Sequence, residues 1–194
     1  MALKIGGSGS GNGSGIFVNR RVITGVENLS GQFNSDITLK LYFEKVQKRD
    51  GGDFEPTHMI FANFKKEDGV TGPGRIAGWG QAFKVALLLE KVGSFKGEIN
   101  EDGTIPDDAL ESLIGKECFI LSYPARHRDK GTKVTNNYQV VAGPQMWDKE
   151  SRTLIPGDEW LKKEFQREMQ GGYVKDFWAE AEPVSAHAMA EPGF

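Results

Sequence analysis

The sequence predicts a mainly β domain: five strands with one helix between the third and the fourth, then a C-terminal helix and flexible tails. Three observations predict it. Apolar and polar residues alternate along Asp36–Val46, with Ile37, Leu39, Leu41 and Phe43 on one face and Thr38, Lys40, Tyr42 and Glu44 on the other. The period becomes helical through Trp79, Ala82, Phe83, Ala86 and Leu87. It returns to strand-like in two apolar runs that flank a polar loop between Cys118 and Gly143.

The elements follow in order. Residues 6–15 read GGSGSGNGSG and have no side chains that build a core, so 1–15 is expected to be a flexible tail. Phe17–Val26 is the first strand, with Gly25 a candidate bulge. Asp36–Val46 is the second strand and Thr57–Lys65 the third, separated by a charged, glycine-containing turn from Lys48 to Pro56. The helix after Trp79 stops at Gly93. A short helix is expected from Pro106 to Ile114, with acids in its first turn and Gly115 at its end. The runs on either side of the polar loop supply the last two strands. This order, with a basic loop between the last two strands, predicts a five-stranded OB-fold barrel over residues 16–143.

Beyond Pro144 the sequence reads as a loop around Trp147 and then a helix over Asp158–Met169, capped by Asp158 and carrying a Leu161, Phe165, Met169 stripe. The stripe is expected to dock on the barrel. Residues 144–182 thus form a C-terminal helical extension, and 183–194, small and acidic, a disordered tail.

Charge is distributed unevenly in a chain whose formal net charge is -3. Residues 1–49 hold seven basic side chains against three acidic; residues 95–117 hold two against seven. A basic face on an acidic protein points to a polyanion partner on one side. The loop of the last hairpin concentrates this charge in Arg126, Arg128, Lys130 and Lys133, with Tyr123 and Tyr138 at its shoulders. Cations that follow a phosphate backbone, with aromatics that stack bases beside them, make a nucleic-acid interface. Arg20, Arg21, Lys40, Lys65 and Lys66 are further phosphate candidates; Tyr42 and Phe64 are further stacking candidates. Adjacent residues such as Arg20 and Arg21 point to opposite faces of a strand, so at most one of them serves a given groove. Phe61 and Phe64 likewise lie on opposite faces, and periodicity does not say which is core.

Other chemistries find no support in the sequence. Asn100–Gly103 lacks the bidentate acid of a calcium loop, because Ala109 stands where it belongs. Three scattered histidines and one cysteine do not make a zinc site. Gly115-Lys116-Glu117 is not a phosphate loop, and the N-terminal glycines follow no strand. No catalytic constellation is visible, so a non-enzymatic protein without cofactors is expected. No apolar run reaches the ~18 residues of a membrane span. The lone Cys118 fits a reducing, cytoplasmic setting.

The strand order resembles that of bacteriophage single-stranded DNA-binding proteins of the OB-fold type, over Ile16–Gly143. So do the Gly78, Trp79, Gly80 entry to the helix, the Leu113–Lys116 step into the fourth strand and the basic last hairpin. The resemblance implies coating of single strands in phage DNA replication or recombination, in the host cytoplasm. That family often ends in an acidic tail with a terminal phenylalanine that docks replication proteins. The ending Glu191, Pro192, Gly193, Phe194 is similar though less acidic, and makes Phe194 the candidate protein contact. Duplex DNA and RNA stay open as partners, as does the oligomeric state. The alternative function is a structural or adaptor protein that uses an OB-like barrel to bind protein.

Overall fold

The computed structural model describes residues 15–48, 50–63, 83–96 and 104–179. The expectations for Phe64, Lys65, Lys66, Trp79 and Phe194, and for the two terminal tails, lie outside these residues.

The protein is mainly β, with one five-stranded antiparallel sheet and a long C-terminal helix. Its first strand, β1 (Phe17–Asn28), works in two halves. Residues Phe17–Val22 pair with β6 (Glu117–Arg126), and Ile23–Asn28 pair with β2 (Ile37–Phe43). The register shifts between Ile23 and Gly25, the position expected to bulge, and this irregularity lets one strand serve two partners. Between β2 and β5 (Thr57–Ala62) the charged turn forms a small ladder of β3 (Val46–Gln47) and β4 (Asp53–Phe54). β7 (Lys133–Ala142) follows β6 through the basic tip. The sheet order is β5-β2-β1-β6-β7.

The expected closure into a barrel is not what the described residues form. No ladder joins the edge strands β5 and β7 among them, so the sheet is open. Helix α1 (Phe83–Leu87), continued by a π-helical turn over Leu88–Val92, packs against both edges. The buried His58 side chain of β5 lies close to the Gln139 backbone of β7. Helix α1 stops at Gly93 as the sequence predicts, for a reason of space: a Cβ there would strike Ser112 Oγ and lie 2.9 Å from the Leu89 carbonyl. The short helix α2 (Asp107–Glu111) follows, and Gly115 after it takes a left-handed backbone (φ 75°) suited to glycine.

Two cores lie on the two faces of the sheet. The inner one joins Ile37, Leu39, Leu41 and Ile60 to Val85, Leu88 and Leu89 of the helical segment. The outer one joins Leu121, Tyr123, Tyr138 and Val140 of the last hairpin to Trp160, Leu161 and Phe165 of helix α3 (Gly157–Gln170). The α3 stripe therefore docks on the sheet as expected. Its approach needs Gly157, where a Cβ would run into the Gly143 carbonyl oxygen. Asp158 does not cap α3: the capping position is Pro156, and Asp158 sits in the first turn, 3.8 Å from Lys162.

The segment expected to be a loop around Trp147 is a hairpin, β8 (Gln145–Asp148) and β9 (Thr153–Pro156). Its turn closes on the buried Asp148 carboxylate, which accepts bonds from Lys163 Nζ at 3.0 Å, Ser151 Oγ at 2.9 Å and Arg167 Nη2 at 3.3 Å. Lys163 first, then Ser151, hold this carboxyl well below the usual carboxylate range. The cluster fastens the hairpin to α3 and is satisfied within itself.

His58 carries a pH prediction. It is 2 % exposed, and neither ring nitrogen has a hydrogen-bond partner. Burial pushes it down from 6.5 to about 4. The unfolded chain therefore takes up this proton first as pH falls. The contribution of neutral His58 is complete above pH 6.5 and is lost as pH drops toward 4. The loss integrates to about 3 kcal/mol. His58→Leu is expected to flatten the difference in unfolding free energy between pH 7 and pH 4.5, measured by urea titration. An acid dependence equal to that of the parent would contradict it.

Candidate nucleic-acid interface

Residues Ile37, Leu39, Leu41 and Phe43 face the inner core, so Lys40 and Tyr42 face outward; Thr38 shares their side of the strand but is itself fully buried. The β2–β5 register places Phe61 opposite Thr38, Met59 opposite Lys40 and Thr57 opposite Tyr42. The β1–β2 register adds Gly25 beside Tyr42 and Glu27 beside Lys40. These side chains form one outward face across three strands. Its centre is a polar aromatic pair. Lys40 Nζ lies 4.7 Å from the Tyr42 ring centroid, and the Tyr42 hydroxyl donates to Glu27 Oε2 at 2.6 Å. Contact with the Tyr42 hydroxyl, chiefly, holds the Lys40 ammonium above its ordinary pKa, so it stays cationic. The Tyr42 ring lies over Gly25.

At the other end of this face is a pair of phenylalanines. Phe33, from the loop between β1 and β2, meets Phe61 edge to face, with ring centroids 5.8 Å apart. Phe33 is 48 % exposed and Phe61 is half-buried. The loop is held over the sheet by Ser30, whose hydroxyl accepts the Thr38 amide at 3.1 Å, and by the Leu29 amide, which donates to the Thr38 carbonyl at 2.8 Å. A flat aromatic ring kept half-open by a braced loop can take a base or another planar group on its face.

The last hairpin has two unlike faces. Leu121, Tyr123 and Ala125 turn to α3 with Tyr138 and Val140. Ser122, Pro124 and Arg126 turn the other way, opposite Asn137, Thr135 and Lys133. Arg126 and Lys133 are cross-strand partners at its end. The tip is ordered by His127, whose Nδ1 accepts the amides of Asp129 and Lys130, each at 3.2 Å. Arg128 and Lys130 project from it, exposed.

Two of the expected stacking residues are corrected by this geometry. Tyr123 and Tyr138 are 7 % and 5 % exposed, packed around Phe165 at centroid distances of 5.1 and 5.3 Å. Burial raises the pKa of both phenols. Neither ring is open to a base, because α3 covers the face they share. Arg20 and Arg21 do point to opposite faces. Arg20 pairs with Glu117, and Arg21 stands opposite Cys118, on the side away from α3. Arg21 therefore joins Arg126 and Lys133 on the hairpin face opposite α3, the inner-core side of the sheet and not the side of Lys40 and Tyr42, while Arg20 is engaged elsewhere. Arg126 and Arg128 also have partners in the chain, in the segment after α3. Lys40 and Tyr42 stand together as expected. Phe33 and Phe61 complete their face; Phe33 was not expected, and Phe61 was undecided.

Cys118 is fully buried, and burial pushes its thiol up to about 12, so it is unreactive. Among the described residues, no cluster of His, Cys, Asp and Glu is arranged to hold a metal, and no helix is long and apolar enough to cross a membrane. Comparison of the chain with protein-family models, curated proteins and solved structures finds no match.

Proposed function

We propose that this protein binds single-stranded DNA with little sequence preference, on the outward face of β1, β2 and β5, with the cations of the basic hairpin, on the other side of the sheet, as a second contact surface. The observation that carries the reading is the composition of that face: Lys40 over Tyr42 beside the half-exposed Phe33–Phe61 pair. Aromatic faces accept any base, and cations beside them release counterions from phosphates, so such a surface favours single strands over duplexes. The sheet order supports the reading, since β5-β2-β1-β6-β7 is the succession of an OB barrel with its closing ladder missing. OB folds take ligands on the strands that β2 and β5 represent. The resemblance to phage single-strand-binding proteins adds the setting: coating of strands during phage replication or recombination, by contacts alone.

The test is an anisotropy titration with labelled oligo-dT, the matching duplex and the matching RNA at low salt. Binding of the single strand well ahead of the duplex is expected. Binding of none of the three would overturn the proposal and favour the adaptor reading.

A further inference from the structure

The tip of the last hairpin is held by residues that follow α3. The β1–β6 ladder ends at Ser122, which leaves the edge of β6 open beyond it. Asp176, Phe177 and Trp178 occupy that edge. The Arg126 amide donates to the Asp176 carbonyl at 2.6 Å, the Trp178 amide donates to the Pro124 carbonyl at 2.9 Å, and Phe177 bridges to Ala125.

Strand alternation then sends the two aromatic side chains to opposite faces. Phe177 enters the outer core, stacked on Tyr123 at 6.4 Å and against Phe165 at 6.3 Å. Trp178 falls on the other face, only half-buried, with the Arg126 guanidinium 4.8 Å from its ring centroid. Among the described residues, that hairpin face has Arg126 and Lys133 but no other aromatic, since Tyr123 and Tyr138 point into the core.

We propose that Trp178 is a base-stacking residue of the second contact surface, on the hairpin face opposite α3 with Arg126 and Lys133, and that Asp176–Trp178 completes that surface. The proposal rests on the single-strand-binding reading above. A guanidinium held over an indole keeps donors available to a phosphate while the ring offers surface to a base. The acid of this strand is weakly committed: Asp176 lies 3.8 Å from Arg128, in a pair 42 % and 84 % exposed that a phosphate can replace.

The experiment titrates the full chain with oligo-dT, following both anisotropy and intrinsic tryptophan fluorescence. Trp178→Ala should weaken binding by about 5- to 150-fold, the loss of one stacked base. The slope of log K against log[salt] should stay the same, because no charge is removed. Trp178→Phe should keep most of the affinity but lose part of the fluorescence quenching that oligo-dT produces. Parental or tighter binding by Trp178→Ala, a steeper slope as freed arginines gain phosphates, or undiminished quenching in Trp178→Phe would overturn the proposal. Absence of oligo-dT binding by the parent would overturn the underlying reading with it.

Discussion

Phe165→Ala is expected to destabilise the fold by about 3–5 kcal/mol, the usual cost of removing a large aromatic from a packed core. Phe165 is 1 % exposed and touches the rings of Tyr123, Tyr138 and Phe177. It is the point where sheet, α3 and the segment after α3 meet, so the cavity left by alanine has no single neighbour able to fill it. Its loss also weakens the seat of Phe177, and with it the strand that carries Trp178. Urea unfolding followed by circular dichroism measures the effect. A loss below about 1 kcal/mol would mean that α3 is not docked on the hairpin.

The second large effect falls on binding. Phe33→Ala and Phe61→Ala together are expected to weaken oligo-dT binding by about 30- to 20,000-fold, with each ring stacking a base worth about 1–3 kcal/mol. Stability should change much less than in Phe165→Ala, since Phe33 is 48 % exposed. The salt slope should be unchanged, which separates lost stacking from lost charge. Affinity within a factor of two of the parent, in a folded double variant, would remove this face from the interface.

How much of this was legible in the sequence depends on what periodicity can say. Alternation identified β2, and the glycine in β1 marked its bulge, because both are local patterns. Alternation left open whether Tyr123 and Tyr138 face a groove or the core. It did not show what covers the face they share. A strand buried on both sides and a strand with an exposed aromatic row have the same period. The missing information sat about forty residues further on, in the Leu161–Phe165–Met169 stripe, which needs an apolar partner as large as itself. Matching that stripe to the tyrosine face would have turned two binding candidates into core residues. The β8–β9 hairpin was missed because four-residue strands are too short for a period to register. Phe33 stands in a loop, where no periodicity exists, and only the register of β2 on β5 brings Phe61 beneath it. Trp178 had no signal at all: it follows the helix in a segment of mixed polarity, and its place depends on an edge of β6 that β1 leaves open. The closing ladder of the barrel was inferred from element order, which states which strands neighbour one another but not whether the last pair bonds.

On the reading proposed above, a cationic, aromatic surface on this sheet holds single-stranded DNA. The most direct measurement is the oligo-dT association constant of the parent protein across a series of salt concentrations. Measurable binding at low salt and a straight, negative slope of log K against log[salt], about 0.7 per phosphate contacted, are expected. Binding that ignores salt, or no binding at the lowest salt, would contradict that reading.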